Sequence, residues 1–563
     1  MQLLGKILLA KDLISGEQLE SALSAQKTKN ELLGNILVRL GYIDIRDLLK
    51  ALAEQFDIPY LDSIEMSISS EDLTKTAPLN FLKKNNILPY RFEEGAYFIA
   101  MSDPLNTEPI DDLQSLTGCD VVQVLSPPDE IIKIIHSLME ESFVSPEEVI
   151  EDLSGDDIGT LSLDLEEAED LLDLSDEAPI IRLVNKLFYQ AIKGRASDIH
   201  IEPYESKLKI RFRIDGTLYE KLSPPKVYHG AIVSRIKIMA GLNIAEKRLP
   251  QDGRIRLKVA GKDVDIRLSV IPTSFGERLV LRILDRSSIL IGTEDLGMDN
   301  RQLEVFNHLI TSSNGIILVT GPTGSGKTTT LYAALEKLNS PERNILTVED
   351  PVEYQVAGIG QIPVNTKVGL TFAAGLRSIL RQDPDIVMVG EIRDLETAEI
   401  ATQASLTGHL VFSTLHTNDA ASAVIRLVDM GMEAFLVSAT LRGVIAQRLV
   451  RKICNNCRIE FKPSDKIISQ LGLSNAEAGH TFFKGAGCAV CSETGYKGRT
   501  AIYEIMGINE TMRRLIVESN DRIAIINEAK KMGMTTMKEE GMKKVFQGVT
   551  TMEEVIAVTQ GSD

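Results

Sequence analysis

One stretch limits the folds open to this 563-residue chain more than any other. Gly321-Pro322-Thr323-Gly324-Ser325-Gly326-Lys327-Thr328-Thr329 follows the apolar run Ile316–Val319 and precedes Leu331-Tyr332-Ala333-Ala334-Leu335. The apolar run has the composition of a parallel strand buried on both faces. The segment after the glycines has that of a helix. A strand, a Gly-rich loop and then Lys-Thr opening a helix is the setting in which backbone N–H groups close around phosphates. The first turn of the helix adds partial positive charge. Lys327 is placed to reach the β- and γ-phosphates, and Thr328 to hold Mg²⁺. The implied ligand is a nucleoside triphosphate, and the implied architecture is α/β.

Three constellations follow downstream. Ile345-Leu346-Thr347-Val348 is an apolar strand that ends in Glu349 and Asp350. Ile386–Val389 is a second strand, with Glu391 just beyond it. Leu410–Leu415 is a third, flanked by His409 and His416. Parallel sheets carry their chemistry at the carboxyl ends of strands. The expectation is that the phosphate loop, two carboxylate groups and the histidines share one sheet edge. Either histidine could equally be a satisfied structural residue.

These blocks resemble the Walker A, Asp box, Walker B and His box of the type II secretion and type IV pilus assembly ATPases. The resemblance runs from about Ala178 to the C-terminus. Ser197–Pro203 (SDIHIEP), Arg211–Gly216 (RFRIDG) and Arg248–Arg254 (RLPQDGR) belong to it. Gly390 stands where many P-loop enzymes have a Walker B aspartate, as it does in that family. The resemblance implies a RecA-like ATP-hydrolysing core preceded by a PAS-like domain, with Mg²⁺ resting on Thr328, water and a neighbouring carboxylate. It gives Glu391 the role of polarising the attacking water, and Glu349 that of organising metal and water. Arg267 and Arg282 match arginines that reach the γ-phosphate from the preceding domain. Taken alone, Arg267 alternates with apolar residues in Val264–Val270 and reads as a solvated strand face. Arg377 and Arg381 resemble further subunit-contacting or sensor positions, and His416 belongs to the His box.

The family match further implies a homo-hexamer on the cytoplasmic face of an inner membrane. Its partners would be a membrane platform protein and the cytoplasmic domain of a membrane assembly protein. Thr328–Leu335 and the His-box block look more like the secretion ATPase, with the pilus extension ATPase close behind. A nucleic-acid motor is the reading from another class. The acidic balance and the lack of basic or aromatic stacking clusters oppose it. No segment approaches ~18 consecutive apolar residues, and no signal peptide is legible, so a cytosolic protein reaching the membrane through partners is expected.

Cysteines mark a second site. Cys454-x-x-Cys457 and Cys488-x-x-Cys491 are separated by 30 residues. Four thiolates at such spacing suit a closed tetrahedral Zn²⁺. The family carries a similar tetracysteine subdomain, here expected over 450–500. The fifth cysteine, Cys119, reads as a small buried apolar residue.

The amino-terminal region is repetitive. Residues 3–26 and 32–55 align without gaps, 29 positions apart, sharing Leu-Leu-Gly, Ile-Leu and a closing Gln. Amphipathic helices with leucine cores are expected over 1–60. The repeat resembles the tandem motif that binds cyclic di-GMP in some of these ATPases. That motif usually begins Arg-Leu-Gly, whereas Leu3 and Leu32 begin the copies here, and Asp12 stands where the first copy should have Gly. Losing arginines removes charge-assisted contacts to a nucleotide. A helical docking module with weak or no cyclic di-GMP binding is therefore expected.

A small α/β domain is expected over 61–143 and a second, PAS-like one over 178–289, with the ATPase domain over 290–563. Between the first two lies a candidate flexible linker, 144–177. The net charge of −19 is concentrated there: residues 147–177 hold 14 acidic side chains and no Lys or Arg. The rest of the chain is nearly balanced, with 66 acidic against 61 basic residues, and no basic stripe argues for nucleic acid.

Overall fold

The computed structural model describes residues 3–28, 31–69, 72–73, 76–141, 179–259, 262–285, 291–463, 480–519 and 521–559. The acidic segment expected as a linker lies outside them. The described residues fall into two units. One lies within Met1–Phe212 and Tyr219–Ile283, the other within Arg213–Leu218 and Leu284–Asp563.

The first unit opens with the repeat. Each copy is a short helix followed by a longer one: α1 (Leu4–Ala10) and α2 (Gly16–Thr28), then α3 (Leu33–Arg39) and α4 (Ile45–Phe56). The 29-residue period holds at the level of packing. Ile7, Leu8 and Ile14 of the first copy and Ile36, Leu37 and Ile43 of the second are all buried in one cluster. Gly5 lies against Leu19 and Gly34 against Leu48, so close that a Cβ would meet the leucine at 3.0 and 2.9 Å. Asp12 has φ +54° and Gly41 φ +70°. The aspartate that departs from the repeat adopts the same left-handed conformation as its glycine counterpart, which Asp tolerates better than most residues.

Next come α5 (Leu79–Asn85), β1 (Ile87–Glu93), β2 (Ala96–Met101), α6 (Glu108–Thr117), β3 (Asp120–Leu125) and α7 (Pro128–Glu141). The sheet order is β1-β2-β3, with β1 antiparallel and β3 parallel to β2. Leu61 N–H donates to Leu125 O at 2.9 Å and Leu125 N–H to Pro59 O at 2.8 Å, so the chain joins this sheet just before residue 61. Cys119 is only partly buried, contrary to expectation. It directly follows left-handed Gly118, the C-cap of α6, where the chain turns at the surface to enter β3.

The rest of this unit is α8 (Pro179–Lys193), β4 (Ala196–Pro203), β5 (Leu208–Ile214), β6 (Thr217–Leu222), α9 (His229–Met239), β7 (Gln251–Val259), β8 (Lys262–Thr273) and β9 (Gly276–Asp285). The strands form one sheet in the order β6-β5-β4-β9-β8-β7. Asp215 (φ +48°) and Gly216 (φ +88°) make the two-residue turn between β5 and β6. Two successive positive φ values match the right-handed twist of the flanking strands.

In the second unit a seven-stranded sheet has the order β12-β11-β13-β14-β10-β15-β18. Its members are β10 (Gly315–Thr320), β11 (Ile345–Glu349), β12 (Gly360–Pro363), β13 (Ile386–Val389), β14 (Leu410–Leu415), β15 (Leu441–Ile453) and β18 (Tyr496–Gly507). All pairings from β12 to β15 are parallel, and β18 closes the sheet antiparallel to β15. Helices cover both faces, as parallel sheets require. They are α10 (Asn300–Ile310), α11 (Lys327–Leu338), α12 (Phe372–Ile379), α13 (Leu395–Leu406), α14 (Ala420–Asp429) and α15 (Ala434–Thr440). Every residue of β10, β13 and β14 is buried. The period-2 alternation splits β10 between two cores: Ile316 and Leu318 join one cluster, Ile317 and Val319 the other.

A small two-stranded sheet, β16 (Arg458–Phe461) with β17 (Phe482–Gly485), lies between β15 and β18 in the chain. The chain ends in α16 (Glu510–Glu518), α17 (Arg522–Lys531), α18 (Met537–Phe546) and α19 (Met552–Thr559). Phe482 of the small sheet shares a core with Met542, Val545, Met552 and Val555 of the last two helices. Among the described residues no helix is long and apolar enough to cross a membrane.

Candidate active site

The loop between β10 and α11 has the backbone its sequence demands. Gly321 (φ +152°), Gly324 (φ +80°) and Gly326 (φ +89°) occupy conformations that L-residues rarely adopt. Space is as limiting as φ: a Cβ on Gly321 would lie 2.5 Å from Gln447 O, and one on Gly326 2.7 Å from Gln447 Nε2. The loop is therefore seated on β15, with Thr330 Oγ1 donating to Gln447 Oε1 at 2.7 Å. Pro322, Thr323 and Thr328 are exposed, Thr329 is half-buried and Ser325 is buried.

Lys327 turns back on its own loop. Its Nζ donates to Gly321 O at 2.7 Å and to Pro322 O at 3.1 Å. Phosphate oxygens entering the loop would supply stronger, charged acceptors for the same ammonium. Burial pulls its pKa down to about 8; Glu391 opposes the shift and Arg448 adds to it.

Beyond β13, Glu391 makes an ion pair with Arg393 and faces His416, whose Nε2 lies 3.5 Å from Glu391 Oε2. The Glu391 side chain is only 16 % exposed. Burial lowers the His416 pKa, and Lys327 and Arg393 push the same way against Glu391, so the imidazole is neutral at pH 7. Lys327, Glu391, Arg393 and His416 thus form one electrostatic group at the carboxyl edge of the sheet. The connecting loops are pinned by short bonds. Gly390 N–H donates to Val348 O at 2.8 Å, and Thr414 Oγ1 donates to Gly390 O at 2.7 Å. Thr417 N–H donates to Thr320 Oγ1 at 2.9 Å, which ties the segment after His416 to the end of the phosphate-loop strand.

His409 is not part of this group, against the expectation that both histidines share one edge. It precedes β14, so it lies at the amino end of the strand whose carboxyl end carries His416. There its Nδ1 is bonded to Ala404 O at 2.8 Å and lies 3.0 Å from Thr407 Oγ1. It closes the end of α13. Glu349 is 3 % exposed and takes hydrogen bonds from Tyr332, Thr347 and Gln361. Arg377 lies on α12, paired with Glu396 at 2.7 Å, and Arg381 donates to Arg377 O at 2.9 Å. Arg267 and Arg282 lie in the other unit. Arg267 sits in β8 opposite Arg254 of β7, and Arg282 sits in β9, with Nε 3.2 Å from Asp198 Oδ1.

Arg393, Thr417, Gln447 and Arg448 were not singled out from sequence. Arg393 had a signal, standing two residues from Glu391. Gln447 and Arg448 had none, because only the strand order places β15 beside β10.

The four paired cysteines converge. Their sulfurs all lie within 4.8 Å of one another. Cys454–Cys488 is 3.9 Å, Cys457–Cys491 is 3.8 Å and Cys488–Cys491 is 3.6 Å. A tetrahedron with Zn–S bonds of ~2.3 Å has edges of ~3.8 Å. Asn456 Nδ2 donates to Cys488 Sγ at 3.3 Å, and the Cys488 and Gly495 amides to Cys491 Sγ at 3.2 and 3.3 Å. Such donors favour thiolates. The residues present fit a zinc ion.

The Type II/IV secretion system protein family matches residues 173–557, and the MshEN domain matches residues 56–143. The chain is 48 % identical over 508 residues to a type II secretion system protein E of Dickeya dadantii, covering 86 % of this chain and 99 % of that one. It is 43 % identical over 562 residues to the type IV pilus assembly ATPase PilB of Myxococcus xanthus, covering 99 % and 98 %. Among solved structures, the ATPase DotB of Legionella pneumophila superposes with a TM-score of 0.51 at 20 % identity, covering 71 % of this chain and 98 % of that one. That likeness concerns the fold, a RecA-like core with an amino-terminal module.

Proposed function

The chain belongs to the Type II/IV secretion system protein family, and we propose that it is the ATP-hydrolysing motor of a type II secretion system. The observation that carries this reading is the meeting of Lys327, Glu391 and His416 at one sheet edge, in a chain that aligns with nearly all of a type II secretion system protein E. The loop from Gly321 to Thr328 binds the phosphates of ATP. Thr328, at the head of α11, is the ligand for Mg²⁺, which would neutralise charge on the transferred group. Glu391 orients the attacking water, and neutral His416 limits the mobility of its carboxylate. Type IV pilus assembly is the second reading, favoured by the end-to-end match to PilB, which includes the amino-terminal repeat.

In a strain lacking this gene, loss of exported proteins restored by the wild-type allele supports the first reading. Loss of surface pili supports the second. Loss of neither rejects both. The motor is read as a homo-hexamer working through an inner-membrane platform protein. The repeat is its docking module toward the cytoplasmic part of a membrane assembly protein. Leu3 and Leu32, 70 % and 50 % exposed, present apolar surface where a nucleotide-binding repeat would present arginines.

Two expectations follow from the site. ATP phosphates would restore the full charge of Lys327, whose pKa is about 8 before binding. Binding therefore takes up a proton only above about pH 8. Affinity is level below that pH and falls above it, by up to about tenfold per unit. Calorimetry at about pH 9 in buffers of different ionisation heat measures this, and zero proton uptake contradicts it.

Arg267 and Arg282 are read as stabilising the γ-phosphate during transfer. Each alanine variant is expected to lose about a hundredfold in turnover with an unchanged melting temperature. A fragment starting at residue 291 that hydrolyses ATP at the full-length rate would remove both from this role.

A further inference from the structure

Tyr332 has a position that the family motifs do not explain. It lies in the second turn of α11, is 1 % exposed, and its hydroxyl donates to Glu349 Oε2. Glu349 Oε1 accepts from Thr347 Oγ1 at 2.5 Å and from Gln361 Nε2 at 3.2 Å. Gln361 Nε2 also lies 3.3 Å from the Tyr332 hydroxyl and 3.2 Å from Tyr354 O, and its Oε1 accepts from Val356 N at 2.8 Å. The Tyr332 and Tyr354 rings meet edge to face with centroids 4.5 Å apart. A buried carboxylate is thus held by donors from three elements: the phosphate-loop helix α11, its own strand β11 and the edge strand β12. An unsatisfied buried carboxylate is costly, and these donors offset that cost.

The network bears on the reacting edge through the backbone. Glu349 is the last residue of β11. Val348 O, one residue earlier, holds the amide of Gly390, and Gly390 precedes Glu391. A line of bonds therefore runs from α11, which begins with Lys327 and Thr328, through Tyr332 and Glu349 to the loop of Glu391. With both oxygens of Glu349 already engaged, its part is to set the spacing between these two loops. We propose that Tyr332 is a positioning residue for ATP hydrolysis, acting through Glu349 to keep the phosphate-loop helix in register with the strand behind Glu391. This rests on the ATPase reading above.

Tyr332→Phe keeps the ring and removes the donor. The expected result is a kcat about tenfold lower, with ATP affinity and KM changed less than twofold. Glu349→Gln, which removes the charged acceptor of the same bond, should lower kcat in the same way. The two changes together should lose no more than Glu349→Gln alone, because both cut the same link. If Tyr332→Phe melts below the assay temperature, Gln361→Leu on the edge strand tests the same carboxylate with the same readout. A wild-type kcat in the folded Tyr332→Phe protein overturns the proposal. So does a Glu349→Gln protein whose only defect is a raised Mg²⁺ requirement, which would make Glu349 a direct partner of the metal. Glu391→Gln assayed alongside separates the two levels. A wild-type protein that hydrolyses no ATP removes the ATPase assignment itself, whereas an active wild type beside an inactive Glu391→Gln and an unaltered Tyr332→Phe removes only Tyr332.

Discussion

Glu391→Gln should bind ATP with near-normal affinity and lose turnover by as much as ~10⁴-fold, the upper end of what a positioned general base supplies. The substitution keeps the shape of the side chain and removes its charge. In the proposed mode, nucleotide binding rests on Lys327 and the loop amides, and the change alters none of their atoms. Loss of the negative charge also removes the influence that opposes the lowering of the Lys327 pKa. The affinity of the variant should therefore weaken slightly at alkaline pH. Arg393 and His416 would lose their charged partner. The result would be a chain that fills with ATP and stalls. Equilibrium binding and steady-state phosphate release on the same preparation check this. Turnover within tenfold of wild type would take Glu391 out of the reaction.

Removing the metal from the tetracysteine site should undo the small sheet and loosen the last two helices. Among its described residues, the segment from Arg458 to Gly485 brings one short β-ladder, with Phe482 as its buried contribution to a shared core. Zinc bound by four thiolates contributes an apparent ~10–16 kcal/mol, comparable to the ~5–15 kcal/mol that holds a whole domain. Arg451, at the start of this region, pairs with Glu554 of α19 at 2.6 Å, so disorder here would reach the chain's end. One zinc per chain is expected by metal analysis. A strong chelator or the replacement of all four cysteines by serine should lower the melting temperature markedly and expose Cys454 and Cys491 to thiol reagents in the chelated protein. Stoichiometric zinc in the tetraserine variant would refute the site.

What was legible in the sequence shares a physical cause: each such feature is a local constraint. A loop that wraps phosphate needs glycines at fixed offsets, so Gly321, Gly324 and Gly326 announce their φ values. Paired cysteines at C-x-x-C spacing advertise a metal because two residues between ligands suit a tight turn. A repeated core pattern betrays two equivalent helix pairs, since Ile7 and Ile36 must bury the same face. The alternation through Val264–Val270 and the apolar blocks at β10, β13 and β14 likewise report burial directly.

The site's remaining features depended on which strands became neighbours. His409 and His416 flank one strand and look alike in sequence, but a strand has two ends. Only parallel alignment with β10 and β13 puts His416 beside Glu391 and leaves His409 at the far edge. Glu349 reads as a strand-end carboxylate open to metal and water. Packing of α11 across β11 buries it under Tyr332 instead. Arg393, Gln447 and Arg448 gained their places from the order β13-β14-β10-β15, set by crossover connections many residues long. Spacing along the chain reports what a residue's own turn of backbone requires. Which side chain meets which across a sheet is decided by the free energy of closing those crossovers and burying both faces at once, and no local pattern records that sum.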